Sequence, residues 1–292
     1  MELKRYPGNP ILKPIPNHPW ESKMVFNAGA IYEGGLVHIV YRAMGRDNVS
    51  RLGYACSEDG FTIKERLPRP IFTPRLSTET RGCEDPRLTR IGSTIFMTYT
   101  AYDGKIPQVG ITSIRVDDFL NRRWRWGRRI MAFPQVVNKD AVILPERYNG
   151  MYVMYHRIHP HIWIAYSRNL RTWINNNIIM MPRKNSWDSL KVGAGAPPIK
   201  TKDGWLFIYH GVDENYVYRL GYAILDLRNP RRVIYRCKDP ILEPEEEFEK
   251  VGAVPNVTFT CGAIVKDEKV YVYYGAADTV ICVATAELSD FF

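Results

Sequence analysis

Five times along a chain of 292 residues, a small or acidic lead-in runs into a hydrophobic strand that ends on a tyrosine-rich edge. The copies read NAGAIYEGGLVHIVYRA from Asn27, EDPRLTRIGSTIFMTYTA from Glu84, KDAVILPERYNGMYVMYHR from Lys139, GAGAPPIKTKDGWLFIYHG from Gly193 and TCGAIVKDEKVYVYYGA from Thr260. Their aligned tyrosines, Tyr41, Tyr99, Tyr155, Tyr209 and Tyr274, are spaced by 58, 56, 54 and 65 residues. A period of this length marks stacked or radial units, none of which buries its hydrophobic face alone.

The core of each copy is two apolar runs joined by a Gly, Asn or Asp turn, which is a hairpin signal. A third run follows: RLGYACSEDGFTI, VGITSIRVDDF, IWIAYSRNLRTW, YRLGYAILDL or ICVATAEL. A fourth, shorter run ends or nearly ends in proline: PILKP at Pro10, PIFTP at Pro70, IMAFP at Ile130, IIMMP at Ile178 and PILEP at Pro240. Four strands in each of five units predict an all-β chain, a five-bladed β-propeller spanning 1–292 as one domain. PILKP stands at the N-terminus although its counterparts follow hairpins, so the first and last blades are expected to share strands and close the ring. Helical turns are expected only near Asp117 to Arg122 and Glu245 to Lys250.

No apolar segment approaches the roughly 20 residues that cross a bilayer, and MELKRYPGNP lacks a signal-peptide core. Five cysteines without C-x-x-C spacing offer neither a disulfide framework nor a zinc site, which favours a reduced, cytoplasmic setting. The net charge of +9 would suit a nucleic acid or an anionic substrate. Much of it lies in RNPRRVIYR (Arg228 to Arg236) and NRRWRWGRR (Asn121 to Arg129). The second run interleaves Trp with Arg as single-strand binders do, but it equally fits a solvated strand face with its tryptophans buried, and neither a nucleic-acid nor a membrane partner is expected.

Function has to come from what the copies do not share. In a propeller the innermost strands converge on a channel and their lead-ins face one mouth. Here those lead-ins differ: Asn27; Glu84 and Asp85; Lys139 and Asp140; Lys191 with the small residues from Gly193; Asn256. At the far ends of the hairpins stand Arg42, Arg157, Tyr209 with His210, and Asp278. A funnel lined by amide, carboxylate, guanidinium, ammonium and imidazole is by default a small-molecule site.

The runs GCEDPRL (Gly82 to Leu88), NKDAVILPE (Asn138 to Glu146), WDSLKVGAGAPPIKTKDGWLFIYHGV (Trp187 to Val212) and YYGAAD (Tyr273 to Asp278) closely resemble the mannoside phosphorylases of glycoside hydrolase family 130. The resemblance covers all five copies and implies the same five-bladed fold. It implies Asp85 as the catalytic acid, delivering its proton through a sugar hydroxyl, and a phosphate pocket of Arg157, Lys191, Tyr209 and His210. Asn27, Arg42 and Asp278 match positions that hold the mannose whose bond is broken, with Asp140 a further candidate. Glu84 is taken to orient the acid or to pair with Arg87.

The chemistry agrees with that assignment. Inversion by water needs an acid and a second carboxylate to activate the water. Phosphate is already a charged nucleophile, so a phosphorylase needs only the acid plus cations; Arg offers a planar fork and Lys a point charge. Blander readings stand beside each choice. Asp85 before Pro86 suits a turn, Lys191 a solvated loop, and Asp278 another turn. Tyr209 and His210 alternate along a strand and serve one site only if the strand ends there. One departure from the family pattern is Val137, where phosphorylases can carry an additional Arg. Arg46 and Arg51 lie near the mouth without an assigned role. His156, His159 and His161 are dense enough to suggest a metal set, but no carboxylate or thiolate joins them and Pro160 splays the last two.

The sequence therefore points to inverting phosphorolysis of short β-mannosides, yielding α-mannose 1-phosphate, with no metal or organic cofactor and inorganic phosphate as co-substrate. The alternatives are a β-mannosidase using water and a non-catalytic propeller that binds glycans or partners. The β-1,2 or β-1,4 linkage, the leaving sugar and self-association into a homo-oligomer are left open.

Overall fold

In the computed structural model, which describes residues 1–292, the chain forms five antiparallel blades of four main strands each, arranged as a ring, with blades one and two joined into one sheet by a single parallel pair, Ser50 with Gly82. Blade one comprises Met24–Glu33, Leu36–Met44, Ser50–Ser57 and Ile63–Arg66, and blade two Gly82–Ile91, Thr94–Tyr102, Pro107–Arg115 and Ile130–Met131. Blade three comprises Lys139–Ile143, Tyr152–Ile158, His161–Ser167 and Ile174–Met180. Blade four runs from Lys191–Ala194 and Ile199–Lys200 through Trp205–Val212 and Tyr218–Leu225 to Val233–Arg236. Blade five takes Thr258–Lys266, Lys269–Ala276 and Val280–Glu287, and its fourth strand is Lys4–Arg5. Lys4 pairs with Thr285 and Arg5 with Ala284, so the N-terminus closes the ring as the displaced PILKP run predicts. The innermost strands pack against one another around the channel, blade five returning to blade one.

Local chemistry sets the hairpins. Gly34-Gly35, Asn149-Gly150 and Asp267-Glu268 have positive φ at both central residues, the geometry whose twist matches two-residue hairpins. The helical content is two short turns, Val116–Leu120 and Glu247–Lys250, where the sequence places them, plus two 3-10 turns. No helix is long and apolar enough to cross a membrane. All five cysteines are buried and unpaired.

The fourth strands need a correction. In blades two and three they contain the expected Ile130 and Ile178 runs. In blades one, four and five the strand is Ile63–Arg66, Val233–Arg236 or Lys4–Arg5 instead, and the proline-ended run makes only one bridge to strand three: Leu52 with Phe72, Leu220 with Leu242, Ile281 with Leu12. Each bridge is a pair of backbone bonds, such as Ile71 N–H to Leu52 O at 2.8 Å and Leu52 N–H to Phe72 O at 2.9 Å. Prolines at both ends withhold the donors a longer ladder would need.

The repeated tyrosines turn out to be anchors. Tyr41, Tyr99, Tyr209 and Tyr274 donate their hydroxyls to Glu21, Glu79, Asp188 and Glu249 at 2.8, 2.6, 2.9 and 2.8 Å. Each of these buried carboxylates also pairs with an arginine on or beside the fourth strand, Arg66, Arg129, Arg236 or Arg5. In blade three Tyr155 donates instead to the Pro230 carbonyl at 2.9 Å. The Trp-Arg run is likewise largely engaged. Trp124 packs on Tyr54 and Phe119, Trp126 on Phe72, and Arg122, Arg123 and Arg129 pair with Glu65, Asp118 and Glu79.

Candidate active site

The innermost strands of blades one, two and three share one device at the mouth. Pairing jumps by one residue between Phe26 and Gly29, Glu84 and Arg87, and Lys139 and Val142. Each bulge contains a left-handed Asn or Asp: Asn27 at φ 49°, Asp85 at 53° and Asp140 at 53°. Asn and Asp tolerate this region better than other side chains, and bulges re-aim side chains next to functional sites. The chain thereby turns three polar groups to the channel while the apolar alternation resumes one residue later.

Two clusters result. In the first, Asn27 Nδ2 donates to Asp85 Oδ1 at 2.9 Å, and Arg42 spans the two acids, Nη1 to Asp85 at 3.1 Å and Nη2 to Glu84 at 2.7 Å. Lys139 Nζ stands 3.9 Å from Asp85 Oδ2. Burial pushes the Asp85 carboxyl up, but Arg42, Lys139, Arg87 and the Asn27 bond outweigh it and hold it below the ordinary aspartate value. Glu84 is pushed up by burial against the pull of Arg42, with the Asp85 charge adding to the rise. Asp278 is pushed up by burial to about 6 in the same field.

In the second cluster Arg157 Nη1 lies 3.1 Å from Asp140 Oδ2 and 3.5 Å from His210 Nε2, and His210 Nε2 lies 3.5 Å from Asp140 Oδ2. Lys191 Nζ sits 4.9 Å over the Tyr218 ring, which stacks on His210. Gly193 keeps this floor open, since a Cβ there would meet His210 Cε1 at 2.4 Å and Asp140 Oδ2 at 2.7 Å. Burial pushes His210 down to about 4, so its imidazole is neutral at neutral pH. Lys191 is pushed down to about 8 by burial and then by Arg157, with Lys139 adding to the fall. Cations crowded this closely around one carboxylate form a site ready for an added anion.

Four placements differ from the sequence reading. Tyr209, grouped there with His210, faces away from the mouth: it is fully buried, stacks on Trp187, and bonds Asp188 and Arg236. Strand alternation separates it from His210, because the strand continues past both to Val212. Its place beside His210 is taken by Tyr218, on the neighbouring strand. Glu84 pairs with Arg42 rather than Arg87, which reaches Asp140 at 3.4 Å. Lys139, one of the polar lead-ins but without an assigned role in the sequence, stands beside Asp85. Tyr209→Phe is accordingly expected to lower stability by about 1–3 kcal/mol, by leaving a buried acid short of a donor, with the KM for phosphate unchanged. Thermal unfolding and phosphate titration together check this; an altered KM at unchanged stability would return Tyr209 to the site.

Val137 is exposed, so no side chain from that position enters the cluster. His156 is buried between Asn138 and Asn176, at 2.9 and 3.0 Å, and no group of three possible metal ligands gathers anywhere in the chain.

The profile of a family described as beta-1,4-mannooligosaccharide phosphorylase, glycoside hydrolase family 130, matches residues 2–292. The chain belongs to that family. Among family 130 relatives it is 45% identical over 297 residues to a 1,2-beta-oligomannan phosphorylase of Thermoanaerobacter sp. (strain X514), covering 99% of both chains. It is 47% identical over 299 residues to a beta-1,2-mannobiose phosphorylase of the same strain, covering 98% of this chain and 97% of the relative. The fold matches that of a beta-1,2-mannobiose phosphorylase from Listeria innocua solved with beta-1,2-mannobiose, at TM-score 0.87 and 28% identity, over 99% and 98% of the two chains. Solved structures of this family are five-bladed propellers, in agreement with the ring described above.

Proposed function

We propose that the protein catalyses inverting phosphorolysis of short β-mannooligosaccharides, with β-1,2 linkages as the preferred substrate. The linkage follows the two Thermoanaerobacter relatives, both named for β-1,2 mannosides. The observation that carries the reaction type is the convergence of the Arg157 and Lys191 charges, with the neutral His210 imidazole beside them, on Asp140, a cationic pocket one inner strand away from Asp85.

Phosphate held by Arg157 and Lys191, with His210 and Tyr218 beside it, attacks the anomeric carbon from the face opposite the leaving sugar. The C1–O bond to that sugar breaks as the new C–O–P bond forms. The proton needed by the leaving oxygen comes from the Asp85 carboxyl through a hydroxyl of the mannosyl unit, which regains its own proton from Asp85. The products are α-mannose 1-phosphate and a sugar shortened by one residue. In the empty site Arg42, Lys139 and Arg87 favour the Asp85 carboxylate; the arriving phosphate offsets the Lys139 charge and so favours proton uptake by Asp85 as substrate binds. Asn27, Arg42 and Asp278 hold the mannose. Glu84 fixes Arg42, and no metal or organic cofactor takes part.

Lys191 gives this reading a pH signature. Its charged form exists below about 8, so the KM for phosphate is expected to climb as pH rises through that value, and Lys191→Met to be weak at every pH and to lose the climb. Phosphate titrations from pH 6.5 to 9.5 check this. The reaction itself is tested by incubating the protein with β-1,2-mannobiose and phosphate and reading the product by NMR. α-Mannose 1-phosphate is expected, and the β anomer would contradict single displacement.

A further inference from the structure

Arg87 is among the largest fully buried side chains, 1% exposed, and lies beneath the mouth. Its Nη1 donates to the Asp85 main-chain oxygen at 3.0 Å, its Nε to the Gly195 oxygen at 2.8 Å and its Nη2 to the Ala194 oxygen at 3.1 Å. The same Nη2 stands 3.4 Å from Asp140 Oδ1, and the guanidinium lies over the Phe259 ring at 5.8 Å. One planar group thus touches the inner strands, or the residues just beyond them, of blades two, three, four and five.

What it joins matters more than how many groups it joins. Asp85 carries the proton. Asp140 is the counter-ion beside Arg157 and His210. Ala194 ends the strand that begins with Lys191. For stability alone a buried charge is a poor choice, since hydrophobic residues of similar volume often serve as well or better. A guanidinium offers a rigid fork of donors that fixes several acceptors in one plane.

We propose that Arg87 is a positioning residue of the reaction: it fixes the Asp85 carboxyl relative to the phosphate pocket, so that proton donor and nucleophile meet opposite sides of one anomeric carbon. This rests on the phosphorylase reading given above. Arg87 touches neither sugar nor phosphate; it acts by holding three strands at one spacing.

Arg87→Lys keeps the charge but replaces the fork with a point. In the β-1,2-mannobiose assay it is expected to lower kcat by about 100-fold, the loss that a displacement near 1 Å produces, and to raise the KM for phosphate while the KM for mannobiose holds. Arg87→Ala is expected to recover kcat saturably when methylguanidinium is added, because the fork re-enters its cavity. A folded Arg87→Lys protein, melting well above the assay temperature, that keeps native kcat and phosphate KM would reduce Arg87 to a support of the fold. Failure of both variants to fold would do the same. The native enzyme runs alongside: if it releases no mannose 1-phosphate, the phosphorylase reading itself has failed, a result separate from any effect of the substitutions.

Discussion

Replacement of Asp85 by asparagine is expected to lower kcat by about 10³-fold, within the range seen when a positioned general acid is removed, and to leave the KM for the β-mannoside close to native. The geometry explains the separation. The asparagine carbonyl can occupy the place of Oδ1 and accept from Asn27 and Arg42, which now donate to it at 2.9 and 3.1 Å. What the amide cannot do is hand a proton to the leaving oxygen. An aryl β-mannoside whose phenolate departs without protonation should therefore recover much of the lost rate in the same variant. Steady-state kinetics on both substrates check the expectation. A variant that turns over mannobiose at the native rate would move the acid to another carboxyl, with Asp278 the first alternative because burial already pushes it to about 6.

Loss of the phosphate pocket should be comparably large and fall on the other substrate. Arg157→Ala removes the guanidinium 3.1 Å from a fully buried Asp140, leaving that carboxylate to His210 and to Arg87 at 3.4 Å. Truncating one partner of a buried, hydrogen-bonded charge pair costs about 2–5 kcal/mol. At 1.4 kcal/mol per tenfold, the affinity for phosphate should fall by about 30-fold to 4,000-fold. The KM for mannobiose should hardly move, since Asn27, Arg42 and Asp278 belong to the other cluster. Arg157→Lys should fall between the two, because a point charge replaces a fork. Varying each substrate against saturating amounts of the other separates the effects; equal losses on both would mean that Arg157 supports the whole site instead of phosphate alone.

The fold is legible in the sequence because five imperfect copies of one hairpin leave few other architectures, and the position of PILKP even locates the ring closure. Asn27, Asp85 and Asp140 are legible for a related reason: they are polar variations at one repeated position, and they prove to occupy equivalent bulges on three blades. Tyr209 shows the converse. It is the fourth of five aligned tyrosines, and four of those five donate to a buried acid beside a fourth-strand arginine; what the copies share is scaffold. Tyr218 escapes a sequence reading because spacing does not say which side chain of a neighbouring strand turns inward, and Lys139, legible as a polar lead-in, is given no role there because it borders the more conspicuous Asp140. The part played by Arg87 is out of reach altogether. Apart from the Asp85 carbonyl on its own strand, its partners lie on other blades, over 100 residues away for Ala194 and Gly195, and only the closed ring brings them within reach.

Whether the cationic pocket holds phosphate as nucleophile is decided by the release of sugar from β-1,2-mannobiose with and without inorganic phosphate. Mannose 1-phosphate and one equivalent of mannose are expected when phosphate is present, and no cleavage when it is absent. Free mannose released at the same rate in both would mean that water occupies the pocket as nucleophile and that the enzyme is a hydrolase.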